Sequence, residues 1–208
     1  MHKDDLYPFI VIEGIDGAGT STQCKLLVEA LKAEGINAEA TEEPTPGPIG
    51  RLIREGLGNT GSSFHHASMS LLFAADRIEH IESMVRPAIE SQTAVISDRY
   101  LASSMAYQGL WEDTQWIQMI NSRAIVPSLM IFVDVDTAVA EQRRNDRGGE
   151  PEIYETKVIQ EKVAQKYKEV LEELSNWTRT VVVNGNSDIE QVRKDIWLEV
   201  KPLFPNAN

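Results

Sequence analysis

Residues 9–27, FIVIEGIDGAGTSTQCKLL, limit what this chain can fold into more than any other stretch. An apolar run from Phe9 to Ile12 reads as a buried strand, a loop follows with glycines at 14, 17 and 19, and a helical pattern begins after it. Glycines let several backbone N–H groups turn onto one small volume, and the positive end of the following helix faces the same point. Such a volume suits phosphate. Gly14, four residues, Gly19, then Thr20 and Ser21 follow the phosphate-loop pattern G-x-x-x-x-G-K-[ST] with one departure, because Thr20 stands where lysine is expected. The plainer reading is a tight strand-to-helix turn in which Ser21 or Thr22 caps the helix.

The 208 residues, 42% of them hydrophobic, suffice for one α/β domain with a sizeable core, and a single domain over 1–208 is expected. A formal net charge of -12 argues against a nucleic-acid binder, whose surface must neutralise backbone phosphates. A small phosphorylated substrate stays compatible, since a few arginines inside one cleft create a local positive field. Cys24 is the only cysteine; it lies at core spacing on the first helix and is read as a buried, inert thiol. MHKDDLYP lacks the apolar stretch of a signal peptide and no run reaches membrane-spanning length, so a soluble cytoplasmic protein is expected.

Strands and helices alternate along the rest of the chain. Cys24, Leu27, Val28 and Leu31 form a helical stripe that Gly35 stops, and a short strand spans 38–41. TEEPTPGPIGRLIREGLGNTG then reads as a substrate loop around one short helix carrying Arg51 and Arg54. Residues 67–90 form a long helical pattern in which Arg77 is either solvated or aimed into a cleft. Strands at 93–96 and 129–133 each end in charged residues, Asp98 and Arg99 after the first, Asp134 and Asp136 after the second. In doubly wound sheets ligands lie beyond the carboxyl ends of strands, so Asp98 and Arg99 stand where chemistry occurs. Arg143, Arg144 and Arg147 beside Gly148 and Gly149 suggest a flexible lid over about 143–153. Ile159, Val163, Tyr167, Val170 and Leu174 mark another amphipathic helix, 180–183 a last strand, and Ser187 with Glu190 a capping box opening the terminal helix. The alternation predicts an α/β fold with a parallel sheet and helices on both faces. His65 and His66 have no partner at metal-ligand spacing and read as helix-start residues.

Taken together, EGIDGAGTSTQ at 13–23, LLFAADR at 71–77 and DRYLASSMAYQG at 98–109, with the looser EEPTPGPIG at 42–50, resemble the thymidylate kinases, a P-loop nucleoside monophosphate kinase family. The resemblance runs over nearly the whole length and implies a five-stranded parallel sheet of P-loop kinase type, a homodimer, ATP as donor, dTMP as acceptor and Mg2+. On it, Gly14, Gly17, Ala18, Gly19, Thr20, Ser21 and Thr22 surround the ATP phosphates, with Ser21 and Asp98 toward the metal. Asp16 faces the acceptor's sugar and phosphate, Arg54 and Arg99 grip that phosphate, and Phe73 stacks on thymine while Arg77 bonds its edge. Ser104 and Gln108 lie at the base and Tyr107 at the sugar's 2′ position. Asp16, Asp98, Arg99, Arg143 and Arg147 form the catalytic set. On spacing alone Phe73 could equally be a core aromatic, and Arg99 one half of a structural ion pair.

Two positions depart from the family pattern. Glu42 stands where the family has arginine and puts negative charge near an anionic ligand. Thr20 can donate one neutral hydrogen bond but cannot offset charge on the β and γ phosphates, so Arg143 or Arg147, swinging in with the lid, is expected to supply it. Competing readings are a kinase for another deoxynucleoside monophosphate and a nucleotide-binding module that has lost turnover.

Overall fold

The computed structural model describes residues 7–58, 64–148, 154 and 156–205. Five strands, β1 (Phe9–Glu13), β2 (Ala38–Glu42), β3 (Ala94–Asp98), β4 (Leu129–Asp134) and β5 (Thr180–Asn184), form one sheet in the order β2-β3-β1-β4-β5. Every neighbouring pair is parallel, with Ile12 beside Asp98 and Glu42 beside Asp98 in register. β1 and β3 are buried at all their positions, which is why Phe9–Ile12 and Ala94–Ile96 read as apolar runs and not as alternation, with polar residues only at the carboxyl ends.

Parallel strands need crossovers, and their right-handed bias decides which face each helix covers. α1 (Thr20–Ala33) returns to the edge strand β2 and packs with the terminal helix α9 (Ile189–Val200) on one face. The other crossovers run through α2 (Pro48–Leu57), α3 (His66–His80), α4 (Arg86–Glu90), α5 (Leu101–Tyr107), α6 (Thr114–Ile120), α7 (Thr137–Arg147) and α8 (Lys157–Leu174). α5 lies against α8, and the Phe132 ring of β4 meets Tyr167 of α8 at 4.9 Å. Among the described residues no helix is long and apolar enough to cross a membrane.

Two expectations change in detail, and a third is only partly within the described residues. The long helix at 67–90 is α3 and α4 joined by a π-helical turn, Ile81–Val85, and α3 buries Ser70, Asp76, Arg77 and His80 while Leu71 and Ile78 face outward. The cap of α9 is Asp188, whose carboxylate accepts the Gln191 N–H at 2.9 Å, in place of Ser187. Residues 143–147 are the last turn of α7, and 149–153 of the expected lid lie outside the described residues. Cys24 is buried, and burial pushes its thiol pKa well up.

Candidate active site

At the carboxyl end of β1 the chain turns through residues 14–19 into α1. Gly17 and Gly19 take φ +90 and +93, and a side chain on Gly17 would strike the Ala140 carbonyl of α7. Gly19 itself occupies the cap position of α1 with no side-chain cap, so Thr20, Ser21 and Thr22 are not used as caps. The Ser21 hydroxyl instead donates to Asp98 Oδ2 across the end of β3, while Asp98 Oδ1 is buried without a hydrogen-bond partner. A hydroxyl and a carboxylate oxygen in need of a partner suit a hard cation that takes its remaining ligands from phosphates and water.

Two cavities open on this loop. The first, of 500 Å³, is lined by Asp16 to Gln23, by Arg143, Arg144 and Arg147, by Gly185 and Ser187 before α9, and by Ile189 at its start. The second, of 210 Å³, is lined by Glu43, Pro44, Arg54, Phe73, Arg77, Ser104, Tyr107, Gln108 and Tyr154 among others. Asp16, Arg99 and Arg147 line both. Gly14 lines neither; its carbonyl accepts from Arg99 at 2.9 Å.

Arg99 connects the two cavities. Its backbone has φ +70, a left-handed conformation unusual for a long side chain and held here by its contacts. The guanidinium donates to Asp16 Oδ1 at 2.6 Å and to Ser103 at 3.2 Å, and lies 5.2 Å from the Tyr107 ring centroid. Arg99 is thus at once one half of an ion pair and part of the lining of both cavities. Burial works against its charge, but Tyr107, Asp16, Tyr167 and Asp98 outweigh this and raise its pKa well above normal. Burial likewise pushes the Tyr107 hydroxyl pKa upward, and that of Tyr154 up to about 12.

Several residues that build this site carried no assigned role in the sequence. Glu13, fully buried, takes the N–H of Tyr100 at 2.9 Å and the hydroxyls of Ser103 at 2.6 Å and Tyr167 at 3.1 Å, fixing the start of α5 to the loop. Burial raises its pKa, with the hydrogen bonds and Arg99 opposing. Gln160 of α8 binds Asp16 twice, accepting its N–H at 3.1 Å and donating to Oδ2 at 2.6 Å, and also donates to the Tyr154 carbonyl at 2.9 Å. Arg144 donates to the Asp16 carbonyl at 2.5 Å. A charged end to an apolar strand was a usable signal for Glu13; for Gln160 it was a polar residue three before Val163 on a core stripe.

At the 210 Å³ cavity Arg77 is buried, with side-chain exposures of 2% for itself and 3% for its partner Glu43 at 2.7 Å. It also donates to Asn121, to Ser104 Oγ at 3.0 Å and to the Tyr100 carbonyl at 3.0 Å. Glu43 in turn meets His80 Nδ1 at 2.9 Å, and His80 Nε2 meets Thr41 at 2.7 Å. The charge of Glu42 is taken up by Arg54 at 2.7 Å, which also donates to the carbonyls of Thr45 and Pro44 at 2.5 Å each. Asp76 accepts the N–H and hydroxyl of Thr45, tying the same loop to α3. Phe73 is half-buried at the cavity wall, and Gln108 Oε1 is a buried acceptor without a partner among the described residues. His65 caps α3, and His66 stacks on Trp111 at 4.4 Å, which stacks on Tyr154.

A sequence model of the thymidylate kinase family matches residues 12–196. The chain is 40% identical over 200 residues to a probable thymidylate kinase of Pyrococcus abyssi, covering 93% of this chain and 95% of the relative. To the probable thymidylate kinases of Methanococcus aeolicus and Thermococcus gammatolerans it is 41% identical over 192 residues and 39% over 199, covering 90% of this chain and 93% of the relative in both cases.

Proposed function

This chain belongs to the thymidylate kinase family, and from that premise we propose that it transfers the γ-phosphoryl group of ATP to dTMP, giving dTDP and ADP. The observation that carries the reading is the meeting of two cavities at Asp16, Arg99 and Arg147, since in-line transfer needs a donor site and an acceptor site sharing one wall. Loop amides from Gly17 to Thr22 cradle the donor phosphates, and Arg143 and Arg147 cover them from α7. Arg99 and Arg54 hold the acceptor phosphate, with Asp16 orienting Arg99.

Phe73 offers a ring to the face of thymine and Arg77 a guanidinium to its O4. The orphan oxygen of Gln108 suits the N3–H of thymine and would face a lone pair on cytosine, so Gln108 selects between them. The Tyr107 ring at the sugar disfavours a 2′-hydroxyl. Ser21 and Asp98 fit a bound Mg2+, which supplies charge neutralisation to the phosphates. A homodimer is supported by Leu71 and Ile78 exposed on α3 with Met119 on α6, and a reducing cytoplasm is compatible with the single free thiol.

ADP release measured with ATP and a panel of dTMP, dUMP, dCMP and dGMP tests the proposal. Turnover with dTMP at the highest kcat/KM supports it, and turnover only with another nucleotide overturns it. The module reading rests on Thr20 and requires binding of ATP and dTMP with no ADP formed.

A further inference from the structure

The geometry points to Arg144 as the side chain that replaces the missing loop lysine, holding the donor phosphates from α7. This deepens the kinase reading and rests on it. In a lysine-bearing phosphate loop the ammonium lies across the loop and faces the β and γ phosphates. Thr20 cannot do this: it is short, neutral and buried against the loop. A charge must reach the cradle from another element: Arg99, after β3, lines the same cavity but is engaged by Asp16 and the Gly14 carbonyl, and α7 touches the loop at Gly17.

The register of α7 on the loop is set by packing. Ala140 is fully buried and its carbonyl sits where a side chain on Gly17 would be, so helix and loop are in backbone contact there. One helical turn on, at i+4, the same face presents Arg144. It is 8% exposed, which is rare for arginine without a specific partner, and it donates to the Asp16 carbonyl at 2.5 Å inside the loop. It also lines the 500 Å³ cavity together with Thr20, Ser21 and Thr22. The guanidinium has five N–H donors in a planar fork, suited to bridging a loop carbonyl and a phosphate oxygen.

Arg143 and Arg147 differ from it in placement. Arg143 is less buried than Arg144 and lines only the 500 Å³ cavity, and Arg147 is exposed and lines both cavities. The lysine's position-fixing role and its charge are thus both available from one residue whose backbone is packed in place before any lid motion.

Titrating ATP into wild type, Arg144→Ala, Arg144→Lys, Thr20→Lys and the Thr20→Lys/Arg144→Ala pair by calorimetry tests the assignment, with a thermal melt on each to confirm folding. Loss of charge-assisted hydrogen bonds predicts ATP affinity lower by ~10- to 100-fold in Arg144→Ala. Thr20→Lys should then restore affinity much more in the Arg144→Ala background than it changes the wild type, because both residues serve one function. Equal effects of Thr20→Lys in the two backgrounds, or an Arg144→Ala affinity within about threefold of wild type, overturn the inference. So does rescue by Thr20→Lys of Arg143→Ala or Arg147→Ala in its place. Because ATP binding alone is read, a wild type that binds ATP yet fails to phosphorylate dTMP refutes the dTMP reading and leaves this test intact.

Discussion

Replacing Arg77 by alanine should unfold the protein far more easily, although a surface-exposed arginine changed in the same way would scarcely matter. The guanidinium is enclosed, and it answers the charge of an equally enclosed Glu43 at 2.7 Å while donating to Asn121, Ser104 and the Tyr100 carbonyl. Removal leaves Glu43 with His80 alone and a void beside the Tyr100 ring, on which the guanidinium rests at 5.0 Å. Breaking a buried pair from one side costs about 3–5 kcal/mol. For a chain of this size that corresponds to a fall in Tm of roughly 6–20 °C. Urea melts of wild type, Arg77→Ala and Arg77→Met/Glu43→Gln read the effect directly. The double variant should regain roughly half of the loss or more, because the stranded charge is gone. A loss under about 1 kcal/mol for Arg77→Ala would refute the view that this arginine holds α3 to the chain at Glu43 as well as facing the cavity.

Gly17→Ala should lower ATP affinity by about tenfold or more, since φ +90 and the Ala140 carbonyl both oppose a side chain and the loop must move; calorimetry checks it, and unchanged affinity contradicts it. Glu13 gives a pH prediction. Its folded pKa lies above the ordinary 4.5, so its contribution to stability is full below 4.5 and is lost as pH rises through the folded value. The stability of wild type minus that of Glu13→Gln, followed by urea melts, should therefore fall as pH rises from below 4.5. A difference that grows with pH refutes the assignment.

Much of the sheet was legible because β1, β3 and β4 are buried on both faces up to their carboxyl ends and show as short apolar runs, whereas the order of strands depends on crossover packing that no local pattern encodes. α3 was legible as a helix but not by its face. Its buried side carries Asp76, Arg77 and His80, each satisfied by Glu43, Thr45 or Asn121, while Leu71 and Ile78 point out, so hydrophobic spacing alone misjudges it. Glu42 read as a charge out of place, and its partner Arg54 becomes evident only once the loop folds back on α2. Gln160 is buried at 1% exposure because Asp16, 144 residues away in sequence, supplies its partners, a pairing invisible to any window. Thr20 and Arg144 pose the same difficulty: the departure is visible in the loop and the residue that answers it lies on another helix.

Binding of a single molecule in which adenosine and thymidine are joined end to end through five phosphates tests most directly whether the two cavities form one in-line site. It should bind one per chain, compete with both ATP and dTMP, and bind at least ~100-fold more tightly than either. Competition with one nucleotide but not the other, or affinity no better than that of ATP alone, would contradict a shared wall at Asp16, Arg99 and Arg147.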